Sequence, residues 1–522
     1  LETYYKSIFT VRFKNHSTNF TIILKRKIMD KYSVLKQYFG FDNFRNGQEE
    51  VIDSIIDKEK HKGILAVFPT ASGKSLMYQL PSLIMDGLTI VISPLISLMK
   101  DQVDYLKSIG VSAEFYNSSI TESEKRTIYN KLINQQIKIL YVAPERFSDD
   151  DFKQMLKTCN NISLFAVDES HCISTQGHDF RPSYRMLSDV IDFLEPEQVI
   201  ALTATATKRV QADICKQLNI NEATKFIKGF YRSDLGIRVF ECDDYSKMNK
   251  MLLHINSLIK KGITTGIVYV PTKKLAERIC AELKYKNIKS TFYHAGIPDK
   301  ERENIQNQWF LNGGIIIATI AFGLGINKPD VRFVFHYGLP GSIEGYYQEI
   351  GRASRDGKGG LCHIYVDIKK DVDLQKFFIN MSFPPEYDIK SFWNWIKVTA
   401  DSDNLVFMTQ EEMGDKCSKF IKKHLIGGCI SKLREGGLVE TVARGKYKIN
   451  SHLNIDECID FNMLNVKRKA KEATLYDLVD LVTDDENCRM LNILNYFDDY
   501  SRTEKCGKCD VCRGKNENTH NN

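Results

Sequence analysis

Apolar, β-branched runs alternate with stretches of helical periodicity between residues 48 and 230. The runs are GILAVF (63–68), LTIVISP (88–94), KILYVAP (138–144), LFAVDES (164–170) and QVIALTAT (198–205). Short runs without polar alternation read as strands buried on both faces, and the helical stretches between them predict parallel pairing. A second series follows from 231 to 370: TGIVYV (265–270), KSTFYHAG (289–296), GIIIAT (314–319), VRFVFHYG (331–338) and LCHIYV (361–366). The expected fold class is therefore α/β, with two parallel-sheet lobes around a cleft. After SFPPEYD (382–388) the texture becomes helical and charged. There TQEEMGDKC (409–417), the stretch 420–440 and TVARGKYKIN (441–450) predict helix, helix and a short hairpin.

These shifts divide the chain into an N-terminal extension (1–28), a first lobe (29–230), a second lobe (231–370), an inserted segment (371–463), a cysteine-bearing unit (464–513) and a polar tail (514–522) expected to be disordered. Residues 1–28 are expected to lie outside the fold proper, because Met29 precedes the first patterned stretch.

Composition narrows the picture only modestly. The chain has 522 residues, 43% of them hydrophobic and 26% charged, as in ordinary globular proteins. Its net charge of +6 permits a nucleic-acid partner without establishing one. The longest apolar run, GIIIATIAFGLGI at 314–326, is too short to span a membrane, and no secretory leader is expected from LETYYKSIFTVRF. Thirteen scattered cysteines, an odd number, predict an intracellular, reducing compartment.

Candidate chemistry begins at FPTASGKSLMYQL (68–80), which follows a predicted strand and opens a helix. Backbone N–H groups of Thr70, Ala71, Ser72 and Gly73 can cradle phosphates there. Lys74 can neutralise them, and the Ser75 hydroxyl can ligate magnesium. A short Gly-Lys-Ser string also occurs in ordinary surface turns. Downstream, Asp168 and Glu169 sit at a strand end, the placement that suits one carboxylate to hold Mg²⁺ and the next to orient or deprotonate water. In YYQEIGRASRDG (346–357), Gln348, Arg352 and Arg355 are close in sequence, and a three-residue spacing predicts both arginines on one face of a helical turn. Such arginines either reach across a cleft or form a solvated, salt-bridged face.

Four cysteines, Cys488, Cys506, Cys509 and Cys512, have the spacing of a closed zinc site; buried thiols or a redox pair are the alternatives. In the inserted segment Lys422, Lys423, Lys432, Arg434, Arg444 and Lys446 either meet nucleic-acid phosphates or are merely solvated.

Taken together, LKQYFGFDNFRNGQEE (35–50), ASGKS, DESH, LTATAT, ATIAFGLGINKPDVRFVFH (318–336) and YYQEIGRASRDG resemble the RecQ-type DNA helicases of superfamily 2 in order and spacing. The resemblance covers about 35–370 and resumes at 464–513. It implies two RecA-like lobes, ATP with Mg²⁺, one structural Zn²⁺, and 3′→5′ translocation coupled to DNA unwinding in repair, recombination or replication. It implies that Phe39, Arg45 and Gln48 hold the adenine, that residues 70–75 with Asp168 and Glu169 serve phosphates and magnesium, and that Gln348, Arg352 and Arg355 close over the γ-phosphate, Arg355 as arginine finger. The loop after DESH resembles the family's aromatic DNA sensor, with His171, His178, Phe180 and Arg181 at matching positions. Thr175-Gln176 stands where the family has Gln-Trp, so one stacking ring is missing, and Ala71 and Ser72 replace frequent glycines. The stretch 420–450 resembles a winged helix, with Lys422, Lys423 and Arg444 as expected DNA contacts. It precedes the cysteine unit, whereas the best-known relatives carry theirs after it. An RNA helicase and a DNA-binding scaffold with an inactive ATP site are the rival readings.

Overall fold

The computed structural model describes residues 9–12, 21–24, 30–57, 63–70, 72–159, 161–174, 181–323 and 328–514. A short antiparallel hairpin, β1 (Phe9–Arg12) and β2 (Thr21–Leu24), precedes the main fold. The first lobe holds β3 (Ile64–Val67), β4 (Leu88–Ile92), β5 (Ala113–Tyr116), β6 (Ile139–Val142), β7 (Ile162–Val167), β8 (Val199–Thr203) and β9 (Thr224–Ile227). They form one parallel sheet in the order β5-β6-β4-β7-β8-β3-β9. The second lobe holds β10 (Leu235–Glu241), β11 (Gly266–Tyr269), β12 (Ser290–Tyr293), β13 (Ile315–Ala318), β14 (Phe333–Tyr337) and β15 (Gly360–Val366), parallel throughout in the order β10-β15-β14-β11-β13-β12. Every residue of β3, β4, β6, β7 and β8 is buried, as expected of strands covered by helices on both faces.

The two-lobe α/β expectation holds, but among the described residues beyond the hairpin β1–β2, itself unexpected, four strands escaped the sequence pattern: β5, β9, β10 and β16 (Leu405–Phe407). Each lies at the edge of its sheet. An edge strand buries less and tolerates polar residues, so the apolar run that marks a central strand is diluted; β9 alternates half-buried and exposed positions.

Beyond the lobes, helices Glu386–Thr399 and Ile426–Glu435 pack with a three-stranded antiparallel sheet, β16, β17 (Val439–Ala443) and β18 (Lys446–Ile449), around Phe392, Trp393, Leu433 and Tyr447. The helix, helix and hairpin read from 409–450 are present. Helix Phe461–Thr483 then returns to the second lobe, and helix Arg489–Tyr496 follows it. Leu475, Leu478, Ile493 and Leu494 join the same apolar core as Tyr346 and Ile350 of the second lobe. No helix among the described residues is long and apolar enough to cross a membrane.

The four cysteines come together. Their sulfurs all lie within 4.8 Å of one another, with Cys506–Cys512 at 3.8 Å and Cys509–Cys488 at 3.9 Å. Tetrahedral zinc with ~2.3 Å bonds places sulfurs about 3.8 Å apart, whereas a disulfide brings them to about 2.05 Å, so the cluster fits the metal and not a bridge. Backbone amides of Cys506, Lys508 and Cys509 donate to these sulfurs, which favours thiolates. Cys488 sits at the N-cap of helix Arg489–Tyr496. The next residue, Arg489, is 2% exposed; its guanidinium pairs with Asp510 at 3.1 Å and donates to the Leu481 carbonyl at 2.6 Å. Asp510 in turn accepts from the backbone N–H of Val239, on the edge strand of the second lobe.

Two outcomes follow from this anchoring. Arg489→Met strands the Asp510 carboxylate in a buried site, and unfolding of the cysteine unit is expected to become easier by about 3–5 kcal/mol; an unchanged thermal midpoint would show the pair to be dispensable. Metal analysis is expected to find about one zinc per chain in the native protein and none in Cys509→Ala/Cys512→Ala, because two thiolates do not close a structural site.

Candidate active site

Parallel strands point their carboxyl ends at one rim, where the loops collect the chemistry. The first lobe supplies three such ends. After β3, Phe68 N–H donates to the Thr203 carbonyl, the chain turns through Thr70, Ser72 and Gly73, and helix Leu76–Ile84 starts at its N-cap Ser75. Gly73 has φ +79°, a conformation that favours glycine, and a Cβ there would stand 2.6 Å from Gln48 Nε2. Gln48 explains that closeness: its Nε2 donates to the carbonyls of Ser72 at 2.9 Å and Gly73 at 3.2 Å, while its Oε1 accepts from Arg45 N–H. Phe39 is buried in the small core beneath this segment. Thus the expected adenine residues and the phosphate loop form one piece, with Gln48 as the tie. Ala71 lies outside the described residues.

Lys74 folds back over the loop, donating to the carbonyls of Phe68 and Pro69 at 3.2 and 3.4 Å. Desolvation pushes its ammonium down, and the nearby Glu169 and Asp168 work against that. Burial, together with Glu169 beside it, pushes the Asp168 carboxyl up to about 7. A carboxylate so destabilised gains from a cation, which is what a magnesium ligand requires. Glu169 adopts φ +48°, a left-handed conformation unusual for its side chain. Its Oε2 is buried with no hydrogen bond, at 3.4 Å from His171 Nδ1. An acceptor left open at a strand end suits a group that must take a proton from water. The buried Ser72 hydroxyl is likewise without a partner. An anion cradle, a cation-seeking carboxylate and open polar groups together fit a nucleotide with magnesium.

The second lobe completes the rim. Helix Ile343–Ile350 carries Gln348 and stops there; Ser354 has φ +56°, so Arg352 and Arg355 lie on the turns beyond it. The helical-turn reading of the two arginines is thereby corrected: the helix has ended before either of them and the left-handed Ser354 lies between them, yet they stand close enough for Arg352 to act on Arg355. Arg352 is buried against Gly323 with its Nε unsatisfied. Arg355 feels the charge of Glu169 across the cleft, while burial and the neighbouring Arg352 and Arg232 push its guanidinium down from the usual range. Such crowding of cations favours an incoming anion.

The lobes touch through specific bonds. Thr70 Oγ1 donates to the Gly351 carbonyl at 3.3 Å, and a Cβ on Gly351 would stand 2.0 Å from that hydroxyl. Gln348 Nε2 donates to Thr205 Oγ1 at 3.2 Å; Thr203 Oγ1 donates to the Thr205 carbonyl, and His171 Nδ1 lies 2.9 Å from Thr203 Oγ1. A polar chain therefore runs from Glu169 through His171, Thr203 and Thr205 to Gln348. The sequence motif LTATAT marks these threonines without indicating a role for either. Arg232, which donates to the Ala353 carbonyl at 3.0 Å, left no sequence signal at all.

Of the expected nucleic-acid contacts, His178 and Phe180 lie outside the described residues, as does Gln176. Arg181 Nη1 donates to the Pro94 carbonyl at 2.8 Å, tying the end of that loop to the first lobe. Lys422 is exposed, Lys423 pairs with Asp415 at 2.7 Å on the surface, and Arg444 is exposed at the turn between β17 and β18.

Comparison with known proteins agrees with this geometry. The DEAD/DEAH box helicase family model matches residues 45–214, the helicase conserved C-terminal domain matches 247–357, and the RecQ zinc-binding domain matches 449–513. The ATP-dependent DNA helicase RecQ of Haemophilus influenzae is 42% identical over 371 residues, 70% of this chain and 58% of that protein. The chain thus spans less than two thirds of that relative's length. A probable ATP-dependent DNA helicase RecS of Bacillus subtilis is 38% identical over 373 residues, 71% of this chain and 73% of that protein. Among solved structures, S. cerevisiae Dbp5 bound to RNA and ADP BeF3 matches with a TM-score of 0.54 at 19% identity, covering 65% of this chain and 88% of that one; this likeness is one of fold. On the helicase and RecQ zinc-binding matches and the extent of these identities, the chain belongs to the RecQ-like ATP-dependent DNA helicase family.

Proposed function

We propose that this protein is an ATP-driven DNA helicase that moves 3′→5′ along a single strand and unwinds the duplex ahead. The observation that carries the reading is the split site: phosphate loop and carboxylates on one lobe, Gln348 and the arginines on the other, joined by the polar chain from Glu169 to Gln348. ATP with magnesium would supply the scissile phosphoanhydride and the charge that offsets its phosphates. The chain's own residues do the rest. Residues 70–75 bind the phosphates with backbone N–H groups and the Lys74 ammonium, and Ser75 and Asp168 hold the cation. Glu169 orients a water and accepts its proton. Arg352 and Arg355 stabilise the charge that develops on the transferring group, which happens only when the lobes are together.

Because Gln348 reaches the first lobe through Thr205, closure and carboxylate geometry are linked, and a strand bound across both lobes would bias that closure. The exposed Lys422 and Arg444 would meet duplex phosphates, each adding salt-dependent affinity. The decisive experiment is unwinding of tailed DNA and RNA duplexes of both polarities. Unwinding confined to 3′-tailed DNA is expected, and RNA preference would reject the reading.

Arg355→Ala is expected to lower DNA-stimulated ATP turnover by ~10³-fold or more; steady-state hydrolysis near the native rate would remove the arginine-finger role. Phe180→Ala is expected to weaken stimulation by single-stranded DNA while basal hydrolysis stays largely intact. Gln176→Trp should lower the DNA concentration for half-maximal hydrolysis, since a base stacked on an aromatic ring is worth ~1–3 kcal/mol. Full stimulation in Phe180→Ala would reduce the loop to a connector.

A further inference from the structure

The segment that crosses from β9 to β10 is gripped by the cysteine unit. Phe230, fully buried in that crossing, stacks on Phe497 with ring centroids 4.4 Å apart and 16° between planes. Its backbone N–H donates to Asp499 Oδ2 at 2.7 Å, and its carbonyl accepts from the Tyr347 hydroxyl at 2.6 Å. Tyr347 also meets Phe497 edge-on at 5.3 Å. One residue before Phe497, the Tyr496 hydroxyl donates to Glu344 Oε1 at 2.5 Å. Around the same crossing the Arg502 guanidinium lies 4.2 Å above the Tyr231 ring, and Asp498 accepts from Lys208 N–H of the first lobe at 3.3 Å.

Glu344 and Tyr347 belong to helix Ile343–Ile350, the element that presents Gln348 to Thr205 and leads into Arg352 and Arg355. The segment after Cys488 therefore touches the first lobe, the crossing and the helix that leads into the arginine turns at once. We infer that Phe497 and Asp499 are positioning residues for ATP hydrolysis: with Phe230 and Tyr347 they set the register of helix Ile343–Ile350 relative to the first lobe. The inference rests on the function proposed above. None of the four groups reaches the cleft, so their effect passes through Gln348 and the turn that carries the arginines. A helix displaced by about an ångström misaims groups whose contribution depends on alignment, and losses of roughly 10²-fold follow from such displacements. The phosphate loop, Lys74 and Gln48 stay as they are, so nucleotide affinity does not change.

The test uses all 522 residues, with zinc content, steady-state hydrolysis with single-stranded DNA, and hydrogen exchange at amides 343–350 measured on each variant. Phe497→Ala and Tyr347→Phe are expected to keep one zinc, to leave KM for ATP within about twofold and to lower kcat roughly 10- to 100-fold. They should also exchange faster than the native chain at 343–350. Asp499→Ala should follow them, and Asp499→Asn, which keeps one acceptor for Phe230 N–H but loses the second that serves Ser501 N–H, should fall between native and Asp499→Ala. Unchanged kcat and exchange in zinc-retaining variants would overturn the inference, as would KM rising in step with falling kcat. Should Phe497→Ala lose zinc, Tyr347→Phe decides, because it leaves the cysteine unit intact. A native chain without DNA-stimulated hydrolysis would sink the helicase reading, and the exchange at 343–350 would then judge the coupling by itself.

Discussion

Buried charges of one sign cannot be held together unless opposite charges face them, and the architecture of this protein follows from that constraint. Asp168 and Glu169 are adjacent at the end of β7, where Asp168 is pushed up to about 7 by burial and by its neighbour. Lys74 faces them from the phosphate loop. On the opposite wall burial, together with Arg352 and Arg232 beside it, pushes the Arg355 guanidinium down from the usual range. Neither wall is comfortable alone. Each is relieved by what the other brings and by a polyanion with its cation between them, so the strain on both sides favours the loaded, closed cleft.

Holding the walls in register is the work of uncharged groups. Thr70 meets Gly351, and Thr205 meets Gln348, at distances that any larger residue at 351 would spoil. Outside the cleft, the cysteine unit braces the crossing between the lobes with a buried aromatic stack. The unit is itself pinned by Arg489, whose guanidinium spans Asp510 and the end of helix Phe461–Thr483. Zinc there organises a brace, and its closed set of four sulfurs leaves no position for substrate.

The inserted segment between the second lobe and the cysteine unit has a core of its own around Trp393 and does not interrupt this bracing. Helix Phe461–Thr483 carries the chain back across it to the second lobe.

The sequence by itself determined the elements whose chemistry is local. Central strands declare themselves because burial on both faces demands continuous apolar runs, and the phosphate loop does so because a tight turn into a helix needs Gly73, Lys74 and Ser75 in order. The four cysteines are equally legible, since metal geometry restricts their spacing. Tertiary structure alone decided what depends on distant partners. Edge strands β5, β9, β10 and β16 are stabilised by one neighbour each, so their composition is weakly constrained. Arg352 and Arg355 read as a helical pair in sequence, but the helix ends at Ile350 and the left-handed Ser354 separates them. Arg232, Thr203 and Thr205 acquire meaning only when the lobes meet, and Phe230, Tyr347 and Phe497 are ordinary core aromatics in sequence. Contacts between residues more than a hundred positions apart leave no local period to read, and it is these contacts that assemble the site.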